Sequence, residues 1–372
     1  VSKSGMNPVV MQLSQGRSGS TVTSGLMLET HPYCGFYMDE LVWSIYRLKN
    51  GPKQDWEDQT LTIDYLLNST QCMFDKRLWR DEPIRKWFAK RNRFSFGANF
   101  SNGEPFYSVV NMTKRCKALQ ETDPPTAACT KEIRLLGHVK PLLDAASQRD
   151  IPFTLIYQMR DPRASVLSQV WNFPNLKFME NKDLSKLSAD TMREHCQVGV
   201  KDLSELKSHP PGTEVAQICF EDLMVEPRAA TYALYGEIEG FRRWPLGDKE
   251  QEFPAGVEEY GTRHVQGWAN ITHKPRKRWG GQTIMHRYST DVSRAKHVNE
   301  WKEKYITLKV YKQMREVWNE EANCRKLRTL SRCSDGWPSD QVIRDTLPPP
   351  EQRTPAASQK GVKDTIAVTD RY

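Results

Sequence analysis

The feature that most constrains this chain is Val9-Val10-Met11-Gln12-Leu13-Ser14-Gln15-Gly16-Arg17-Ser18-Gly19-Ser20-Thr21, an apolar run that breaks into a glycine- and serine-rich turn carrying one arginine. Val9 to Leu13 has strand length and β-branched content, Gly16 and Gly19 permit tight backbone geometry, and Thr21 to Leu28 is compatible with a helix. A strand, a tight turn and a helix start aim several backbone N–H groups at one point, where an anion binds. A nucleotide-triphosphate loop needs a lysine directly after its second glycine, and Ser20 follows Gly19 here. The positive charge is Arg17, beside the hydroxyls of Ser18, Ser20 and Thr21. That set suits a fixed oxyanion without an obligatory metal; the plain alternative is a structural turn.

A second stretch has the same design. Phe153 to Met159 reads as a strand and runs into Arg160-Asp161-Pro162-Arg163-Ala164-Ser165-Val166-Leu167-Ser168. Asp161 is a good N-cap and Pro162 a good first helical residue. On that helix Ala164, Leu167, Ser168 and Trp171 share one face. Arg160 then leaves the strand end and Ser168 stands two turns into the helix, so a guanidinium fork and a hydroxyl are available to one phosphate. The alternatives are an Arg160–Asp161 ion pair and a serine that only packs.

Between these motifs, His31-Pro32 ends the first helix and Gly35 to Glu40 reads as a short strand. In an open parallel sheet the strand C-termini line the ligand crevice, which places Asp39 and Glu40 toward Arg17. The same acids also suit the N-terminus of a helix over Leu41 to Leu48. Residues 50–130 read as an elaborated, partly superficial connection, and Lys131 to Gln148 as an amphipathic helix despite Pro141. Val215 to Phe220 reads as a buried strand, with Glu221-Asp222-Leu223 and Glu226-Pro227-Arg228 introducing the next helix. The basic run Lys274-Pro275-Arg276-Lys277-Arg278, beside Trp279 and Gly280-Gly281, suits either a solvated face or contact with an anionic chain. Trp301 to Leu327 reads as a terminal helix. From Ser334 the Pro-, Ser-, Thr- and Gln-rich sequence reads as a disordered tail, giving one domain over 1–333 and a tail over 334–372.

Composition narrows the class. The 372 residues suffice for a sizeable core, and no apolar run approaches the ~20 residues of a membrane span. A net charge of +8 favours acidic partners, but no zinc spacing or RNA-binding aromatic motif accompanies it, which disfavours nucleic acid. Eight cysteines without a C-x-x-C pair disfavour structural zinc and permit disulfides, with Cys116 and Cys129, which bracket the last loop of 50–130, the expected pair. Asn68, Asn99, Asn111 and Asn270 head N-glycosylation sequons. Together these features tilt the chain toward the secretory pathway, and the lack of a signal segment at Val1 suggests a trimmed N-terminus.

The two loops together resemble the signatures of sulfotransferases that use 3′-phosphoadenosine 5′-phosphosulfate (PAPS), especially the Golgi carbohydrate sulfotransferases. Gln15 to Thr21 is similar to that family's 5′-phosphosulfate loop and Tyr157 to Ser168 to its 3′-phosphate motif, with Arg160 and Ser168 at the motif's spacing. Phe220-Glu221-Asp222-Leu223 with Glu226-Pro227-Arg228 resembles the family's third strand and following helix. Coverage is roughly 8–48, 131–170 and 214–240, and weaker around 289–320. The family's F-E-P-L-W stretch departs here to Asp39-Glu40-Leu41-Val42-Trp43.

The resemblance implies an α/β, P-loop nucleotide-kinase-like three-layer fold with a central parallel sheet flanked by helices. It implies sulfuryl transfer from PAPS to a carbohydrate hydroxyl, of a glycosaminoglycan or a glycoprotein glycan, with no metal required. Gly16, Arg17, Ser18, Gly19, Ser20 and Thr21 would hold the 5′-phosphosulfate, Arg160 and Ser168 the 3′-phosphate, and Arg17 would also act in catalysis. The general base is Glu40, with Asp39 the rival. The implied setting is the Golgi lumen, as the luminal part of a single-pass type II protein whose N-terminal anchor is not in this chain. A tyrosyl-protein sulfotransferase and a non-catalytic binder of anionic polysaccharide are the alternatives.

Overall fold

Val9–Ser14 (β1) and Phe153–Met159 (β5) are buried along their whole length, as strands covered on both faces of a parallel sheet must be. They pair in parallel with Leu13 opposite Tyr157 and Ser14 opposite Gln158. The computed structural model describes residues 6–15, 18–20, 23–24, 28, 33–39, 59–74, 94–95, 113–114, 116–118, 121, 126–133, 135–172, 184–225, 227–243 and 311–346. Within them Cys34–Asp39 (β2), Phe94–Ser95 (β3), Ala127–Glu132 (β4) and Thr213–Cys219 (β6) complete a sheet of order β3-β2-β4-β1-β5-β6. Among the described residues only the short edge pair β2/β3 is antiparallel.

Helices cover both faces. On one, Val10, Tyr37, Cys129, Ile156, Ala216 and Ile218 form a cluster with Leu234 and Tyr235 of α6 (Pro227–Glu237) and Phe241 of α7 (Glu239–Arg243). On the other, the Tyr157 hydroxyl donates to Asp202 of α4 (Leu184–Leu206) at 3.0 Å. The expected α/β architecture, a central parallel sheet flanked by helices, is the one observed. Other helices among the described residues are α1 (Gln59–Thr70), α2 (Val139–Gln148), α3 (Pro162–Asn172), α5 (Phe220–Val225), α8 (Tyr311–Glu320) and α9 (Ala322–Leu330).

Several expectations need correction. The helix read from Lys131 starts only at Val139, because Lys131 and Glu132 end β4, a strand lying between β2 and β1. Pro141 is third in α2, where a missing N–H breaks no intrahelical bond, and Glu205 of α4 accepts the Lys140 N–H at 2.9 Å. The connection 50–130 contains α1, whose Asp64 and Asn68 both hold Arg149 after α2. Asn68 is thus a sequon residue on a helix with its Oδ1 engaged. Of the single helix expected over 301–327, residues 301–310 lie outside the described residues, and the rest falls in α8 and α9, separated by Glu321 in extended conformation.

Cys116 does not pair with Cys129. The bonds are Cys34–Cys129, Cys72–Cys116, Cys196–Cys324 and Cys219–Cys333. Nearness in sequence misleads here because Cys129 lies within β4, beside β2, whereas Cys116 meets the turn that follows α1. Four disulfides fit a secreted or luminal chain. Among the described residues no helix is long and apolar enough to cross a membrane.

The chain divides into two compact units, Val1–Trp337 and Pro338–Tyr372. A 3₁₀ turn over Arg332–Gly336, anchored by Cys333, belongs to the first, and helix α10 (Asp340–Thr346) to the second. The stretch read as tail from Ser334 therefore begins with ordered structure; 347–372 lies outside the described residues, as do the Leu41 to Leu48 helix and the Lys274–Arg278 cluster.

Candidate active site

The chain leaves β1 toward β2 on one side of the sheet and leaves β5 toward β6 on the other, so the ends of these adjacent strands flank the switch point of the sheet. A crevice opens there in parallel α/β sheets, and ligands bind in it. Both anion motifs read from the sequence follow these two strands.

The loop after β1 is tied down from below. Gln12 donates through Nε2 to the Ser20 carbonyl at 3.3 Å and Gln158 to the Ser18 carbonyl at 2.9 Å. Gln12 also donates to Gln158 Oε1. Because a peptide is planar and trans, a Ser18 carbonyl turned to the sheet turns the Gly19 N–H away from it, toward the crevice. Ser18 N–H closes the turn on the Gln15 carbonyl at 3.1 Å, and Thr23 N–H bonds to the Gly19 carbonyl at 3.1 Å, opening a helix. Gly19 has φ +87°, and a Cβ there would stand 2.0 Å from Phe220 Cε2. Only glycine fits.

Among the described residues, the hydroxyls of Ser14 at the end of β1, Ser18 in this loop and Ser165 in α3 are buried and make no hydrogen bond. A buried hydroxyl left unpaired costs about 1–3 kcal/mol, which a ligand oxyanion at the loop removes by accepting from it. The residues present therefore fit an anionic group.

The second wall is the β5–α3 turn. Asp161 caps α3 by accepting the Arg163 N–H at 2.9 Å, and it holds the Arg163 side chain at 3.0 Å through Nε and 2.6 Å through a terminal nitrogen. Arg163 is fully buried, with Trp318 of α8 stacked 4.8 Å from its guanidinium carbon. The Asp161 carboxylate thus belongs to Arg163 rather than to Arg160. Arg160 instead lies with its guanidinium carbon 4.7 Å from the centroid of the Phe220 ring. Stacking fixes the plane of a guanidinium and directs its N–H groups edgewise.

Phe220 opens α5 at the end of β6 and touches both motifs, Gly19 and Arg160. Its neighbour Glu221 accepts the Asp161 N–H at 2.9 Å. Burial pushes the Glu221 carboxyl up to about 7, reinforced by the Asp161 charge and opposed by that hydrogen bond and by Arg160.

Behind the loop, Gln15 donates to the His195 carbonyl of α4 at 3.3 Å, and Gln169 of α3 meets His195 Nε2 at 3.0 Å. Burial lowers His195 to about 4, so the imidazole is neutral near pH 7.

Of the residues singled out from the sequence, Ser18, Gly19, Ser20 and Arg160 are brought to this crevice. Gly16, Arg17, Thr21 and Glu40 lie outside the described residues, and for Asp39 and Ser168 only the backbone is described. Asp39 is the register partner of Lys131, which is in turn opposite Gln12, so Asp39 stands two strand spacings, roughly 10 Å, from β1 at the same level. Lys131 is buried on this polar row and was hidden by the helix reading. Gln12, Gln158, Phe220 and Glu221 were equally unassigned; the signal for the two glutamines was a polar residue near the end of each apolar strand.

No family model and no curated protein matches this chain. Solved structures similar to it include a sulfotransferase domain from the curacin biosynthetic pathway, at 14% identity and TM-score 0.40, covering 84% of this chain and 97% of that one. Sulfotransferase STF9 from Mycobacterium avium is similar at 18% identity and TM-score 0.34, covering 81% of this chain and 76% of that one. A sulfotransferase domain from the Synechococcus PCC 7002 olefin synthase is similar at 15% identity and TM-score 0.32, covering 80% and 94%.

Proposed function

We propose that this protein transfers a sulfuryl group from PAPS to a hydroxyl of a carbohydrate, such as a glycosaminoglycan or glycoprotein glycan. The observation that carries the reading is the placement of the two signature-like motifs at adjacent strand ends, joined by Phe220, which touches Gly19 of one and Arg160 of the other. Such a crevice offers two anion-holding walls to one ligand bearing two separated anionic groups.

The donor supplies the activated sulfuryl group on its 5′-phosphate. In this reading Gly16 to Thr21 hold that end, and Arg17 neutralises charge developing on the leaving phosphate. Arg160 and Ser168 hold the 3′-phosphate. Glu40, the residue after the end of β2, takes the proton of the acceptor hydroxyl as its oxygen bonds to sulfur and the sulfur–oxygen bond to the 5′-phosphate breaks. The products are a sulfate ester and adenosine 3′,5′-bisphosphate. As in phosphoryl transfer, the protein's share is positioning and charge neutralisation. The four disulfides support a luminal setting, which we assign to the Golgi.

Incubation with sulfur-labelled PAPS and a panel of glycans and tyrosine-containing peptides tests the reading. Label in a glycan supports it. Label in peptide tyrosine makes the chain a tyrosyl-protein sulfotransferase, and glycan binding without transfer makes it a polysaccharide-binding protein.

A further inference from the structure

Glu221 occupies a position that stability alone does not explain. Its Oε2 is buried without a hydrogen-bond partner, and an unsatisfied buried oxygen is a cost. Its Oε1 accepts the N–H of Asp161, the residue directly after Arg160, at 2.9 Å. That N–H lies at the N-cap of α3, outside the helix's own hydrogen bonds. The Asp161 carboxylate is engaged with Arg163, so the turn carrying Arg160 is fastened to α3 through the Asp161 carboxylate and to α5 through that of Glu221. The grip from α5 has a firm base. Cys219, two residues before Glu221, is bonded to Cys333, and Phe220 between them is packed on Gly19 and stacked on Arg160.

We infer that Glu221 is a positioning residue for the donor's 3′-phosphate: by holding the Asp161 amide it sets where Arg160 stands over Phe220, and so the spacing between the two anion-holding walls. The inference rests on the reading of Arg160 as the 3′-phosphate ligand. Glu221 makes no contact with the reacting atoms in this account. Its effect is confined to ligands that carry a 3′-phosphate, which distinguishes positioning from a general contribution to folding.

The experiment is calorimetric titration with adenosine 3′,5′-bisphosphate and adenosine 5′-monophosphate, the ratio of the two affinities being the readout. In Arg160→Ala the bisphosphate preference should fall about 30-fold, the scale of a lost charge-assisted hydrogen bond. Glu221→Ala and Glu221→Met, the second keeping volume while losing the acceptor, should each lower the preference on the order of tenfold, with the monophosphate affinity little changed. Glu221→Gln retains an acceptor oxygen for the Asp161 N–H and should restore the preference to within about threefold. Equal weakening of both nucleotides in the Glu221 variants overturns the inference, as does an unchanged ratio there while Arg160→Ala collapses it. An unchanged ratio in Arg160→Ala removes the reading of Arg160 itself, and the inference with it.

Discussion

The ring of Phe220 packs so closely on Gly19 that a Cβ at position 19 would meet Phe220 Cε2 at 2.0 Å, and Gly19 holds φ +87° as well. Side chain and backbone thus demand glycine for separate reasons. The close approach brings the end of β6 against the loop that follows β1, although β5 lies between those strands.

Gly19→Ala should therefore disturb the loop more than a methyl group ordinarily does. The left-handed conformation alone costs a residue with a side chain about 1–2 kcal/mol, and displacement of Phe220 adds to it. We expect adenosine 3′,5′-bisphosphate affinity to fall at least about tenfold, with partial recovery in the double variant Gly19→Ala/Phe220→Ala because the clash partner is gone. Calorimetry on the three proteins checks this, and an unchanged affinity in Gly19→Ala contradicts it.

Asp202 predicts a pH dependence of stability. It is fully buried, accepting from the Tyr157 hydroxyl at 3.0 Å and from the Gly137 N–H at 2.8 Å. Burial raises its carboxyl to about 7 against these two hydrogen bonds, with Glu205 raising and Lys201 lowering it further. A carboxyl raised in the folded state binds its proton more tightly there than in the unfolded chain. Its contribution is therefore complete below the ordinary carboxylate range and is lost as pH rises toward 7, then stays level. Asp202→Asn cannot ionise, so its stability relative to wild type should grow between about pH 4 and pH 7 and then plateau. Urea unfolding of both proteins across that range measures the difference; parallel curves would show that Asp202 titrates normally.

Glu40 and Asp39 are separable by rate. General-base assistance is typically worth about 10²- to 10⁴-fold, so Glu40→Gln should lower turnover by that order with donor affinity nearly intact, and Asp39→Asn should do much less. The reverse pattern in a sulfate-transfer assay transfers the role to Asp39. Full activity in both variants removes this pair from the mechanism.

How much of this was legible beforehand follows a physical division. β1 and β5 announce themselves as apolar runs ending in turn residues, and Asp161-Pro162 marks a helix start by cap chemistry that is local to the chain. Ala127–Glu132 does not, because alanine, lysine and glutamate have little strand preference of their own. That segment is a strand because β1 and β2 offer it hydrogen bonds on both sides. The disulfides are hidden for the same reason, being set by which strands and helices become neighbours. Gly19 was readable as a turn residue, but its need to accommodate Phe220, more than two hundred positions away in sequence, exists only once β6 has joined the sheet.

Whether one ligand spans both motifs is measured by hydrogen–deuterium exchange with and without adenosine 3′,5′-bisphosphate. Ligand-dependent protection is expected in two peptides together, one covering residues 15–24 after β1 and one covering residues 160–168 after β5. Protection of only one of them, or of neither at a saturating ligand concentration, would contradict a single site built from both.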